Sequence, residues 1–161
     1  MIYPAVFTSD DNGSVVIEVT DVSGVVSFGA NHADALVMGQ DALLTMFDYY
    51  MQEGRPIPAP SAPAPGQPVV EVPAMASVKL AIYDAMRDQG ISQVRLASLL
   101  KTSPKAVRRL LDLWHNSRWD HLEAALAVLG LQVAVEIRKN IIPAPQADYP
   151  PQPQNTTVLF T

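Results

Sequence analysis

The sequence predicts an α+β protein in two lobes: a small β-β-β-α-β unit, then an all-α domain that ends in a strand. Three observations predict it. Short β-branched runs separated by turn residues occupy the first thirty or so positions, and helical periodicity takes over afterwards. Six of the fourteen prolines fall within residues 55–68 and divide the chain. Charge divides near the same place: residues 1–75 hold nine acids against one base, Arg55, whereas residues 76–161 hold ten bases against seven acids. The net charge of −5 hides this split, which points to two surfaces facing two kinds of partner. The boundaries are therefore 1–73 for the acidic lobe, 74–140 for the helical domain and 141–161 for the tail.

Ile2 to Phe7 is a short apolar strand. Asp10-Asp11-Asn12-Gly13 is a hairpin signal, because Asn-Gly tolerates the positive φ of a tight turn. Ser14 to Thr20 returns as a second strand, Asp21 to Gly24 turns again, and Val25 to Phe28 closes an antiparallel meander. Asn31 caps a helix from about His32 to Glu53, with Asp34 as the acid of a capping box. Leu36, Leu43, Phe47 and Tyr50, with Ala35, Ala42 and Met46, make its apolar stripe. Residues 55–68 form an extended linker or an edge-wrapping segment, since proline excludes helix and central strand. Val69 to Val72 is a brief strand that can add to the meander.

The second lobe reads as four helices. Ser77 to Gln89 buries Val78, Ile82, Ala85 and Met86, and Gly90 ends it. Ser92 caps Gln93 to Leu100. Ser103 caps the next helix with Pro104 at its first position, burying Val107, Leu110 and Leu111 or Trp114. Ser117 is expected to cap Trp119 to Leu129. Leu131 to Ile137 alternates as a strand, and the same strand of a second chain is its cheapest partner, through Leu131, Val133, Val135 and Ile137. The tail from Ile142 holds five prolines and is expected to be disordered.

Residues 91–120 carry the clearest chemistry. Two short helices joined by a tight turn, with the positive charge on the second, match a helix-turn-helix that enters the major groove of DNA. Phosphates reward such a cluster through counterion release. Ser103, Lys105, Arg108 and Arg109 are the candidates for base edges. Ser92 and Gln93 can bond phosphate, and His115, Asn116 and Arg118 meet the backbone from the following loop. The bland alternative is a solvated basic face on a helical bundle.

Composition excludes other classes. There is no cysteine, hence no disulfide framework, zinc knuckle or thiol nucleophile. No apolar run of membrane-spanning length and no signal-peptide pattern are present, so the cytoplasm is the expected compartment. The histidines lack ligand spacing, no nucleophile elbow or phosphate-binding glycine loop occurs, and neither catalysis, metal nor cofactor is expected. Acids in a β-β-β-α-β lobe could belong to a ribonuclease H site, but Asp10 and Asp11 sit in a turn, where aspartate occurs for backbone reasons.

Several motifs together resemble the HicB antitoxins of bacterial type II toxin–antitoxin pairs, over about Ile2 to Ile137. These are Tyr3-Pro4, Asn12-Gly13, Asp21, Gly24, Phe28-Gly29, Asp41-Ala42-Leu43-Leu44, Gly54, Pro56, Ile57-Pro58 and Pro60-Ser61. In the second lobe they are Ile91-Ser92-Gln93, Leu96-Ala97, Val107, Arg109-Leu110 and His115 to Asp120, which look like the helix-turn-helix branch. The resemblance implies that the first lobe is a partial, degenerate ribonuclease H-like fold without activity. It implies binding of a small basic HicA-type toxin that cleaves mRNA. It further implies that a Cro/repressor-like second lobe represses the operon at an inverted-repeat operator, as a homodimer or dimer of dimers. Charge nominates Asp10, Asp11, Glu18, Asp21 and Asp48 as toxin contacts. Two features depart from the family: TDVSGV replaces its proline-rich third-strand turn, and Lys101 stands where the turn often has glycine. The alternatives are an orphan regulator whose first lobe senses or oligomerises, and a nuclease retaining a ribonuclease H site.

Overall fold

The computed structural model describes residues 1–11 and 13–134. Strands β1 (Ile2–Ser9), β2 (Val15–Val19), β3 (Val26–Gly29) and β4 (Val69–Glu71) form one antiparallel sheet in the order β3-β2-β1-β4. Helix α1 (His32–Gln52) packs across one face of it. Alternation along the strands explains which face. Tyr3, Ala5, Val15, Ile17 and Val19 point under the helix and are buried, whereas Val6, Glu18, Val26 and Phe28 point away. Asn31 and Asp34 make the expected reciprocal cap: Asp34 N–H donates to Asn31 Oδ1 at 3.0 Å, and Ala30 N–H donates to Asp34 Oδ2 at 2.9 Å. Gly29 lets this first turn approach, since a Cβ there would lie 2.3 Å from Ala35 N.

The proline segment wraps the sheet edge, the second of the two forms expected for it. Tyr3 Oη donates to Pro58 O at 2.6 Å, Ser61 N–H donates to Asp21 Oδ2 at 2.7 Å, and Ala5 N–H donates to Pro68 O at 2.8 Å. Burial, with the Asp21 and Asp84 charges adding to it, pushes the Tyr3 hydroxyl up to about 12. Tyr83 Oη reaches back to Arg55 O at 2.8 Å. Burial also raises the Asp84 carboxyl, although the Ile57 N–H it accepts opposes that shift. The fourteen residues 55–68 are thus a strap fastened at both ends and in the middle.

Helices α2 (Ala74–Asp88), α3 (Gln93–Leu99), α4 (Pro104–Leu111) and α5 (Trp119–Val128) follow. The buried face of α2 is wider than its periodicity predicts. Ala76 and Leu80 belong to the core under α1, and Ile82 and Met86 to the core of the helical bundle. A helix buried on two sides shows no single stripe. Between these residues Lys79 is fully buried, and its ammonium donates to the carbonyls of Asp112 and His115 beyond the end of α4. Leu113, between those carbonyls, inserts into the first core. The lobe boundary at residues 73 and 74 therefore falls at the start of a helix that both cores share.

Two expectations need correction. The N-cap of α5 is Arg118, with no side-chain cap bond, while the Ser117 hydroxyl is buried with no hydrogen-bond partner among the described residues. Leu131 to Ala134 take no regular structure, although Val133 packs on the second core. The remainder of the expected strand, with Val135 and Ile137, the tail, and Asn12 of the first turn lie outside the described residues.

Two stability measurements test this join. Lys79→Met leaves two carbonyls without their donor and is expected to lower the unfolding free energy by about 1–3 kcal/mol in urea titration. An unchanged midpoint would show that the ammonium contributes nothing. Tyr3→Phe loses the strap bond, a loss of about 1 kcal/mol at neutral pH. The folded-state pKa of Tyr3 lies above its unfolded value of 10, so the wild type loses stability as pH rises from 10 towards 12. The variant lacks this loss, and the gap between the two should close over that window.

Candidate functional site

The α3–α4 pair is fixed by capping at three points. Ser92 Oγ accepts from Arg95 N–H, and Ser103 Oγ accepts from Ala106 N–H, each at 3.2 Å. Between them α3 stops at Lys101, whose φ of 53° makes it the one non-glycine residue with positive φ among the described residues. Thr102 N–H donates to Ala97 O at 2.9 Å and Lys101 N–H to Ser98 O at 3.2 Å, the paired bonds of a left-handed helix stop. Pro104 then starts α4 without wasting a donor. The turn has the geometry that glycine usually supplies, achieved with a lysine.

Leu96 and Ala97 of α3, and Val107, Leu110 and Leu111 of α4, point inward. Leu111 rather than Trp114 fills the last core position, and Trp114 stays about half exposed. Lys105, Arg108 and Arg109 are left exposed on a helix that contains no acid. They do not act as one row. Arg108 borders a groove with Gln93 and Trp114, closed on the far side by Asp48 and Gln52 of α1. Arg109 borders a second hollow with His115, Asn116, Ser117, Arg118 and His121. So the nominated residues divide into Gln93–Arg108 on one side of α4 and Arg109–His115–Asn116–Arg118 on the other.

Electrostatics separates these cations. Arg118 Nη2 lies 2.8 Å from Asp120 Oδ2, and the pair raises the arginine and lowers the aspartate from their ordinary values. Both are solvent-exposed, so salt screens the pair. No ion pair with Lys105, Arg108 or Arg109 is present among the described residues, which leaves these charges to an external anion.

The five nominated acids of the first lobe do not converge. Asp10 closes the β1–β2 turn, with Oδ1 accepting Asp11 N–H at 2.8 Å. Glu18 stands on the uncovered sheet face across from Val6 and Val26. Asp21 is committed to Ser61 of the strap. Asp48 accepts from Gln52 and faces the α3–α4 groove. Sequence reasoning missed Lys79, because a lysine in an amphipathic helix reads as surface. It also missed Phe28, Met38 and Trp114, because exposed apolar residues look like core until the packing is known.

Residues 2–81 match the family model of the HicB-like antitoxin of bacterial toxin–antitoxin systems. Antitoxin HicB 2 of Photorhabdus laumondii is 37% identical over 130 residues, which cover 81% of this chain and 91% of that protein. Antitoxin HicB of Escherichia coli is 28% identical over 135 residues, covering 84% and 98%. Antitoxin HicB of Pseudomonas fluorescens is 26% identical over 129 residues, covering 80% and 88%.

The left-handed stop at Lys101 yields a stability test. A side chain in this region costs roughly 1–2 kcal/mol, which glycine avoids at the expense of a floppier unfolded chain. Lys101→Gly is expected to raise stability by about 0.5–1 kcal/mol, and β-branched Lys101→Val to lower it by about 1 kcal/mol or more. Equal midpoints for glycine, lysine and valine would mean that the turn relaxes freely.

Proposed function

The chain belongs to the HicB-like antitoxin family of bacterial toxin–antitoxin systems, and from that premise we propose that it neutralises a small mRNA-cleaving toxin of HicA type and represses its own operon. The family is one of antitoxins, not enzymes, so its task is binding. The first lobe is read as a partial ribonuclease H-like unit that has kept the sheet and one helix. Its excess of acid gives it the electrostatic character of the toxin's nucleic-acid substrate, which suits a basic ribonuclease partner.

The second lobe is read as a Cro/repressor-like helix-turn-helix. One observation carries this reading: α3 and α4 are capped by Ser92 and Ser103, joined through a single left-handed residue, and leave Lys105, Arg108 and Arg109 without an ion pair among the described residues. In this reading α4 lies in the major groove, with Ser103, Lys105 and Arg109 nearest the base edges. Gln93 and Arg108 hold the phosphates on one side, and His115, Asn116 and Arg118 hold them on the other. Ser92 keeps its capping role and offers its hydroxyl proton to a phosphate. A homodimer, or a dimer of dimers, places two such helices on an inverted repeat, and Leu131, Val133, Val135 and Ile137 are the proposed contact between copies.

In the first lobe, Asp10, Asp11 and Glu18 remain as proposed toxin contacts, because each is exposed. Asp21 acts there through the strap it holds, and Asp48 through the α3–α4 groove.

Arg108→Ala with Arg109→Ala is expected to lower operator affinity about a hundredfold in gel-shift titration, at about 1–3 kcal/mol for each lost contact. The dependence of affinity on salt should become shallower. Toxin neutralisation, scored as growth rescue on co-expression with the adjoining reading frame, should be intact. Loss of neutralisation in this variant would show that the two lobes do not divide the work as proposed.

A further inference from the structure

The uncovered face of the sheet is largely apolar, with Glu18 between Val6 and Val26, and it reaches a free edge. Strand β3 pairs with β2 on one side and has no strand partner on the other among the described residues. Its outward side chains, Val26 and Phe28, are 54% and 69% exposed. Val16 lies across from Phe28 on the neighbouring strand, and Val6 continues the face on β1. An exposed phenylalanine on an edge strand is a hazard for a chain that works alone, since it invites pairing with other chains. A partner that covers it turns the hazard into an anchor.

What surrounds Phe28 narrows the partner's chemistry. The four strands carry two charged side chains, Glu18 and Glu71, both acidic. Beside Phe28, where the β1–β2 turn, the end of β3 and the first turns of α1 meet, lies a hollow lined by Asp10, Asp34, Phe28 and Met38. Both carboxylates are held in place by backbone donors, Asp10 by Asp11 N–H and Asp34 by Ala30 N–H, and no lysine or arginine among the described residues forms an ion pair with either. The lobe's one base, Arg55, is stacked 4.3 Å from the Tyr50 ring centroid. The hollow therefore offers preset negative charge, an aromatic face and a methionine, which suit the charged head and the apolar stem of a lysine or arginine.

We propose that the outer sheet face around Phe28 is the surface on which the basic toxin docks, and that the adjoining hollow takes a lysine or arginine of the toxin between Asp10 and Asp34. The inference rests on the antitoxin reading and adds the place and manner of contact. Phe28 is the central anchor, Val26 and Met38 surround it, and the two aspartates set orientation and encounter rate.

The test uses the full-length chain and the small protein encoded by the adjoining reading frame, with affinity measured by calorimetry. Phe28→Lys should weaken binding about thirtyfold or more. Asp10→Asn with Asp34→Asn keeps the oxygen acceptors of the turn and the cap while removing both charges. It should weaken binding about tenfold at low salt, and the loss should shrink as salt rises. Asp41→Lys, on the exposed side of α1, should bind as the wild type does. Thermal midpoints and operator binding should be unchanged throughout. If Phe28→Lys fails to fold, the double asparagine variant decides alone. Wild-type affinity in both variants would overturn the proposal, as would loss of binding in Asp41→Lys alone. Dissociation of a homodimer by Phe28→Lys with toxin affinity intact would also overturn it, and would assign the face to a second copy. Absence of binding by the wild-type chain would instead remove the antitoxin reading itself.

Discussion

The segment from Leu111 to His115 is where the two halves of the molecule are made into one. Leu111 fills the bundle core and Leu113 fills the core beneath α1. The carbonyls of Asp112 and His115 take the buried ammonium of Lys79. A helix end leaves carbonyls without intrahelical partners, and a cation is a favourable neighbour for them. Burial pulls the lysine below its ordinary pKa, with the Asp112 charge opposing that shift. The arrangement thus sets a desolvation cost against satisfied carbonyls and a fixed exit for the chain from α4. What it achieves is position: the helix that carries Lys105, Arg108 and Arg109 is held against α2, and α2 is held against the sheet.

The strap performs the matching task on the other side. Proline-rich sequence lowers the entropy lost on ordering, because its φ is already fixed. Three kinds of anchor use that saving: a phenol to a carbonyl at Pro58, a carboxylate to the Ser61 amide and hydroxyl, and backbone pairing at Pro68. The sequence contained every part of this. Tyr3, Asp21 and Ser61 each stand in a motif of the sequence, but in separate ones. That Asp21 serves Ser61 is a contact across 40 residues, and no local pattern encodes it.

The same distinction explains what could be read in advance. The β1–β2–β3 meander, the capping box at Asn31 and Asp34, and the caps at Ser92 and Ser103 are local, and each is visible in a few adjacent residues, whereas the pairing of β4 with β1 joins Ile2 to Glu71. Failures came where burial is two-sided or where a charge is buried. The stripe expected for α2 packs on the bundle core, but Ala76 and Leu80, which serve the core under α1, fall outside it. Lys79 is buried where a lysine in an amphipathic helix reads as surface, and Ser117, the expected cap, lies buried beside the actual cap, Arg118. On α4 the candidate residues are legible in the sequence but their grouping is not. Arg108 and Arg109 are neighbours in sequence, yet consecutive helical residues face about 100° apart. The structure accordingly assigns them to different hollows.

This separation bears on how one chain handles partners of opposite charge. In the proposed function, a basic toxin and an anionic duplex would compete for the chain if acids and bases were mixed on one surface, since opposite charges set together cancel and weaken attraction to either partner. Here Asp10 and Asp34 gather at the corner of the sheet, and Lys105 and Arg109 project from α4. Acid and base also meet in the groove in which Asp48 of α1 and Arg108 of α4 share a lining with Gln93 and Trp114. An acid there lowers the local attraction for phosphate around Arg108, so the side of α4 bearing Arg109 holds the stronger share of it. In the proposed function the acidic lobe would therefore bias the approach of a duplex toward the Arg109 side of α4, because Asp48 lines the groove on the Arg108 side.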